Sequence, residues 1–324
     1  MAPDNPFPPP TSRETHRVSK WGDRIFLALT VLATAGVVAL MVALVVVLFY
    51  GSRATIWSTG FSFLTSSVWS PGTNRFGILI FIFGTLVTST IALVIAIPLG
   101  VGAAIFLTQQ APGWLRGPVG QLIELLAAIP SIVYGFWGLI VLVPIMRNDV
   151  DPVLARYLGW TGLFNGVAIG LDILTASLVL SVMAIPTITA ISRDSIAAVP
   201  RSQKEAALSI GATDWEVTRK AVLPYARSGI IAGIVLGLGR ALGETMAVTL
   251  VIGNNNKSFP TSLFSQAQTI PSLIANDFFE QASPNEVSAL LEAGLFLLVI
   301  TLVINIGARL ILARFQAGRG VGAE

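Results

Sequence analysis

Residues 25–50 contain no charged side chain, and five further long apolar runs follow at 76–107, 122–146, 166–191, 229–252 and 287–312. Hydrocarbon offers no water to backbone N–H and C=O groups, so runs of this kind fold as helices that satisfy their own. Each spanning helix takes about 20 residues. The expected fold class is therefore an all-α polytopic membrane protein of about six transmembrane helices. The first run is too long for the apolar core of a signal peptide and has no A-x-A cleavage site, so it reads as a retained helix. Pro98 either kinks the second run or marks its true end.

Composition agrees. The 324 residues are 54% hydrophobic and only 11% charged, with mean hydropathy +0.77, whereas soluble domains carry about 25% charged residues. The chain lacks cysteine, and its one histidine, His16, lies in the polar N-terminal stretch. Disulfides, thiol chemistry, His-paired nucleophiles and Cys/His metal sites are thereby excluded from the membrane body. No G-x-x-x-x-G-K-[ST] run occurs, so no cofactor is expected in this chain, and ATP and Mg belong to a partner if they are used. Nothing points to nucleic acid.

The expected organisation is a disordered tail over 1–24, a first helix over 25–50, a core over 76–312 with a loop at 192–228, and a second tail over 313–324. Lys and Arg sort unevenly between the loops. Of the 20, fourteen fall in the two tails, at Arg116, in the 192–228 loop and at Arg309 near the end of the last run, against five on the other side, with Arg240 left inside a span. The positive-inside bias places both termini in the cytoplasm, as an even number of spans requires.

The loop carries its own signals. Pro200 suits the first turn of a helix and Gly211 the left-handed residue after its end. Thr213 and Glu216 form a capping box for a second helix, which Pro224 is expected to stop. Ala206 and Ala207 leave room for another surface, and Glu205 offers it a carboxylate. The hairpin either merely connects two spans or docks a partner. The ordered pattern Glu205-Ala206-Ala207, Gly211, Leu223-Pro224 resembles the EAA loop of ABC-importer permeases, which implies docking into a cleft of a cytoplasmic ATPase.

Arg240 lies in Gly237-Leu-Gly-Arg-Ala-Leu-Gly-Glu-Thr245. Counted from a helix start at Gly229, it is roughly 16 Å deep at 1.5 Å per residue, near the middle of a core about 30 Å thick. An arginine there costs about 2.5–3.5 kcal/mol on insertion scales. Glu244, at i,i+4, is placed to pair with it. The pair either orders the bundle or lines a water-filled path. A permanently charged planar guanidinium suits a tetrahedral oxyanion. Glu244 pairs with Arg240 or takes a proton from a hydrogenphosphate. Gly237, Gly239 and Gly243 leave space around the pair or serve close packing. Thr85, Thr88, Ser89 and Thr90 either line the path or bond back to their own helix. Glu124, Asp172 and Glu292 fall near span ends, within reach of water.

Further stretches sharpen the resemblance: Arg75-Phe76-Gly77, Gly84-Thr-Leu-Val-Thr-Ser89, and Ala128-Ile-Pro-Ser-Ile-Val-Tyr-Gly-Phe-Trp-Gly138. With the loop and the Arg240 run, they resemble PstC-type permeases of Pst phosphate importers from about Arg75 to the last span. The resemblance implies a type I ABC-importer permease core of five helices plus an extra N-terminal helix, in the bacterial plasma membrane. It implies a PstA-type sister permease, a PstB-type ATPase dimer and a PstS-type phosphate-binding protein as partners. It also places the family's functional arginine and glutamate on Arg240 and Glu244. The 253–286 loop is then either the docking surface for the binding protein or a lid on the bundle. A permease for sulfate or molybdate, an ATP-independent pore or receptor, and a lipid-directed membrane enzyme are the alternatives. The enzyme lacks the clustered nucleophiles it would need.

Overall fold

The computed structural model describes residues 20–280 and 283–317. Among them, six helices are long and apolar enough to cross a membrane. Helix α1 runs Lys20–Thr59, α2 Leu79–Gln110, α4 Ser131–Thr161, α5 Ile173–Ala197 and α7 Asp214–Gly243. Shorter helices are α3 Gly113–Ala128, α6 Arg201–Ser209, α8 Met246–Val251 and α9 Ile270–Asp277. Helix α10 runs Pro284–Ala317. Residues up to Val47 form one unit and those from Leu48 a second. Most of the expected N-terminal tail, and 318–324 of the second, lie outside the described residues. Lys20–Arg24 are already helical.

Helix α5 is the centre of the larger unit, flanked by α2 and α7. Its start is set by Asp172, whose carboxylate accepts the Thr175 N–H at 2.8 Å, a standard N-cap that satisfies one of the helix's free donors. The fourth span accordingly begins later than Gly166. Gly166 and Gly170 instead take positive φ, +118° and +79°, in the preceding loop. Asp172 is fully buried, not at a watery span end, and burial holds its carboxyl above the usual range.

The apolar run 122–146 divides between two helices. Pro130 forces Ile129 into an extended conformation, so α3 ends at Ala128 and α4 begins at Ser131. Tyr134 Oη donates to Leu126 O at 2.8 Å across that corner. Pro98, by contrast, sits inside α2, which continues to Gln110 through a π turn at Phe106–Gln110.

Pro224 does not stop a helix either. A π turn at Thr218–Val222 lets the Leu223 N–H reach Thr218 O. Hydrogen bonds thereby shift by one residue just where the proline lacks a donor. The helix opened by the Thr213–Glu216 capping box, present as expected, thus runs unbroken into the fifth span.

Four apolar clusters hold the larger unit together, one of them around Leu93, Ala96, Ala184 and Ile188 where α2 meets α5. Another joins α2, α4, α5 and α8 around Ala92, Val179, Met183 and Val251. A third, around Phe63, Trp69, Phe81 and Leu273, gathers one end. The fourth, around Ala104, Ile196, Val222 and Ala226, gathers the end that carries α6. The 253–286 segment folds onto the bundle. Thr85 Oγ1 accepts the Ile270 N–H at 2.9 Å, and Gly84 lets Gln268 O approach where a Cβ would collide. This favours the lid reading for most of the segment, with 257–259, Thr261, 278–280 and 284–285 left exposed.

Candidate functional site

Arg240 stands in the last turn of α7. The helix begins at Asp214 and not at Gly229, so the depth counted from Gly229 does not hold. What marks the site is the helix end. Gly243 closes α7, Glu244 is extended (φ −70°, ψ 126°), and α8 starts two residues later. Glycine lowers helix propensity by about 1 kcal/mol relative to alanine, and Gly239 and Gly243 both fall in this final stretch. Discontinuous helices of this kind recur at transporter solute sites.

The break separates the expected ion pair. No salt bridge within 4.0 Å joins Arg240 to Glu244 among the described residues. Arg240 Nη1 instead donates to Thr187 Oγ1 of α5 at 3.4 Å, a long contact that leaves most of the guanidinium's donors uncommitted. Glu244 Oε1 accepts the Ala247 N–H at 3.3 Å, serving the first turn of α8.

Arg240 borders an open cavity of about 470 Å³ between α7 and α10, which Asn305 and Arg309 also line. Gly239 and Gly243 have nothing within 4 Å of where a Cβ would stand, so they leave free space here. Gly237 serves packing, since a Cβ there would press on Ile188 at 2.9 Å. Sequence reasoning assigned Arg309 to the positive loop side and passed over Asn305. Only the packing of α10 against α7 brings them beside Arg240.

The hydroxyls of α2 do something else. Thr85 and Thr88 donate to the carbonyls of Phe81 and Gly84 at 2.8 and 2.7 Å, and both are buried. Thr85 and Gly84 fasten the 266–270 segment. Ser89 is buried with no partner for its Oγ. None of the three lines the Arg240 cavity. Glu124 is largely exposed and pairs with Arg193 at 2.9 Å, as expected near a span end. Glu292 is buried, with Oε2 unpartnered, which corrects its expected access to water.

The 192–228 loop bears out its local sequence signals except for the stop at Pro224. Glu205 and Ala206 are exposed on α6, and Gly211 has φ +85°, a conformation side chains rarely adopt. A groove of about 510 Å³ lies between α6 and the start of α7, lined in part by Ala206, Ala207, Lys220 and Pro224. Leu223 packs into the cluster beneath. Ile210, which lines the groove, is 85% exposed, and Trp215 and Leu208 of the same loop are 57 and 47% exposed. Exposed apolar groups gathered on a polar loop mark a surface that a partner covers. The motif pointed to the small residues and missed these large ones.

Residues 96–317 match the family described as the binding-protein-dependent transport system inner membrane component. Over 302 residues the chain is 48% identical to the phosphate transport system permease protein PstC of Mesorhizobium japonicum, covering 92% of each. The chain belongs to the PstC permease family. The Haemophilus influenzae member is 46% identical over 304 residues, covering 93% of this chain and 96% of that one. Among solved structures, the permease fold resembles a bacterial alginate ABC transporter with bound periplasmic protein, at TM-score 0.60 and 17% identity over 89% of this chain and 95% of that one. It also resembles the MetNI methionine ABC transporter, at TM-score 0.54 and 17% identity over 72% and 94%. These likenesses establish the type I ABC-importer permease fold. In this PstC-family chain the arginine of the Gly239-Arg240-Ala241 run therefore sits at a helix break, and the EAA-like loop is an exposed surface at one end of the bundle.

Proposed function

We propose that this chain is the membrane subunit through which an ATP-driven importer moves inorganic phosphate into the cytoplasm by alternating access. The observation that carries the reading is Arg240. An arginine inside an apolar span is costly, yet here it has one long hydrogen bond and faces an open cavity beside Asn305 and Arg309. A planar donor fork with uncommitted N–H groups suits a phosphate dianion. Near-half identity to proteins named as phosphate permeases supports the same solute.

Force enters at the other end. A PstB-type ATPase dimer binds and hydrolyses ATP with Mg, and grips the surface around Glu205, Ala206, Ala207 and Gly211. Movement of α6 passes into α7, because the π turn at Thr218–Val222 carries the helix opened at Thr213–Glu216 into the fifth span as one rod. A PstA-type sister completes the path, and a PstS-type binding protein delivers phosphate on the opposite side. Both termini are cytoplasmic. Contact with Arg240 has to be weak enough for release.

Labelled phosphate and sulfate uptake in a strain lacking the chain's own permease tests this. Arg240→Ala loses phosphate uptake by about tenfold or more, the effect of one charge-assisted contact, at wild-type expression. Arg240→Lys keeps a point charge without the fork and falls between. Sulfate uptake equal to phosphate reassigns the solute. Normal phosphate uptake by both variants removes Arg240 from the path.

A further inference from the structure

A second basic cavity lies away from Arg240, at the end of the bundle that carries the coupling loop. It encloses about 480 Å³ and is lined by Arg116, Arg193, Lys204, Gln109 and Thr108. These come from four elements: α2, α3, α5 and α6. Lys204 precedes Glu205 on α6, so the cavity backs directly onto the coupling surface.

The donors are held in place. Lys204 Nζ donates to Gln109 Oε1 at 3.3 Å, which leaves Gln109 Nε2 buried with no acceptor. Gln109 sits in the π turn that ends α2, and such turns are frequent at functional sites. Arg116 Nε donates to Ala111 O at 2.7 Å, fixing its guanidinium at the α2–α3 corner. Arg193 is clamped by Glu124 at 2.9 Å and Asp194 at 3.2 Å. Gly120 admits it, since a Cβ there would meet Nη1 at 2.7 Å. Both clamping carboxylates are largely exposed, at 61 and 72%, and neither lines the cavity. Three cations and an unsatisfied amide donor therefore converge with no carboxylate among the lining groups.

We propose that this cavity binds a phosphate-type oxyanion, supplied either by the headgroup of an anionic lipid or by free inorganic phosphate. Arginine and lysine pockets between helices suit both. The lipid source has its own support: Trp114 is 76% exposed next to Arg116, and α3 exposes Leu122 and Leu125 beyond it. An aromatic ring at a helix start above an apolar face is the arrangement found at headgroup level. An anion here ties α6 to the ends of α2 and α5 and so bears on the stiffness of the coupling surface. The site stands apart from the Arg240 path and does not depend on it.

The test uses the full-length chain co-purified with its assembled subunits and reconstituted in nanodiscs. Hydrogen exchange of amides 107–117 and 197–204 is followed in pure phosphatidylcholine, with added phosphatidylglycerol, and in phosphatidylcholine with added inorganic phosphate at constant ionic strength. Protection by phosphatidylglycerol assigns the lipid headgroup, and protection by inorganic phosphate assigns the free ion. Either result supports the site. Lys204→Gln and Arg116→Gln each shift the protection midpoint by about tenfold, as the loss of one charge-assisted hydrogen bond requires. Arg219→Gln and Arg240→Ala leave it unchanged. Absence of protection by both probes in the wild-type complex overturns the proposal without recourse to any variant. Equal protection in Lys204→Gln and Arg116→Gln does so as well, and so does its loss in Arg240→Ala.

Discussion

Arg240 and Glu244 stand one helical turn apart in sequence and answer to different partners. Arg240 reaches Thr187 on α5, while Glu244 accepts the N–H of Ala247 on the far side of the helix break. The carboxylate's first duty is thus to start α8, and the guanidinium is left to the cavity.

Glu244→Gln follows from that assignment. The amide oxygen still accepts the Ala247 N–H, so the variant is expected to match wild type in thermal stability. Glu244→Ala loses the contact and about 1 kcal/mol, as capping deletions do. Thermal unfolding in detergent compares the two. Equal stability of all three proteins refutes the capping role.

Gly84→Ala places a methyl group against Gln268 O. A backbone carbonyl cannot swing aside as a side chain can, so the 266–270 segment must lift from α2. A loss of about 1–3 kcal/mol is expected, typical of overpacking. Thr85→Val, which strips the Ile270 N–H of its acceptor, costs a similar amount. Faster proteolysis within 255–270 in both variants is the readout.

Gly211→Ala tests the coupling turn. Open space surrounds the position, so the cost is conformational alone, about 1–2 kcal/mol for a side chain at positive φ. Gly211→Asn costs less, because asparagine visits this region. Co-purification of the ATPase should decline from wild type to Asn to Ala. Retention independent of the residue sinks the requirement for the turn.

Asp277 gives a pH dependence. Burial, with the charges of Glu286 and Glu280, pushes its carboxyl up to about 6, against a partial offset from the Trp69 Nε1 hydrogen bond at 3.1 Å. The folded value exceeds the unfolded one, so the folded state binds more protons between the two. This group's contribution to stability is therefore complete below about pH 4 and is lost as pH rises through about 6. Asp277→Asn keeps an oxygen for Trp69 and removes the titration. It should raise the melting temperature at pH 8 relative to wild type and bring the two together near pH 4. A wild-type profile that the substitution leaves unchanged contradicts the assignment.

Much was fixed by local pattern. Long stretches without charge have to become self-satisfied helices in lipid, which set six spans. The Thr213–Glu216 box and the Gly211 turn depend on neighbours three or four residues away and appear as expected. Helix ends proved harder to read, because Pro130 breaks a helix while Pro98 and Pro224 are absorbed. Whether a proline stops a helix depends on whether a π turn or a neighbour takes up the orphaned carbonyl.

What the fold alone decided are contacts between segments far apart in the chain. The Arg240–Glu244 spacing promised a pair, and the break at Gly243 dissolved it. Thr85 turned from a candidate path residue into an anchor for Ile270, 185 positions away. Arg309 and Asn305 joined Arg240, and Arg116, Arg193 and Lys204 met around one cavity. A sequence encodes backbone periodicity and caps over a few residues, because those hydrogen bonds are local. Which charges share a cavity is set by how the helices pack, and that is a property of the whole bundle.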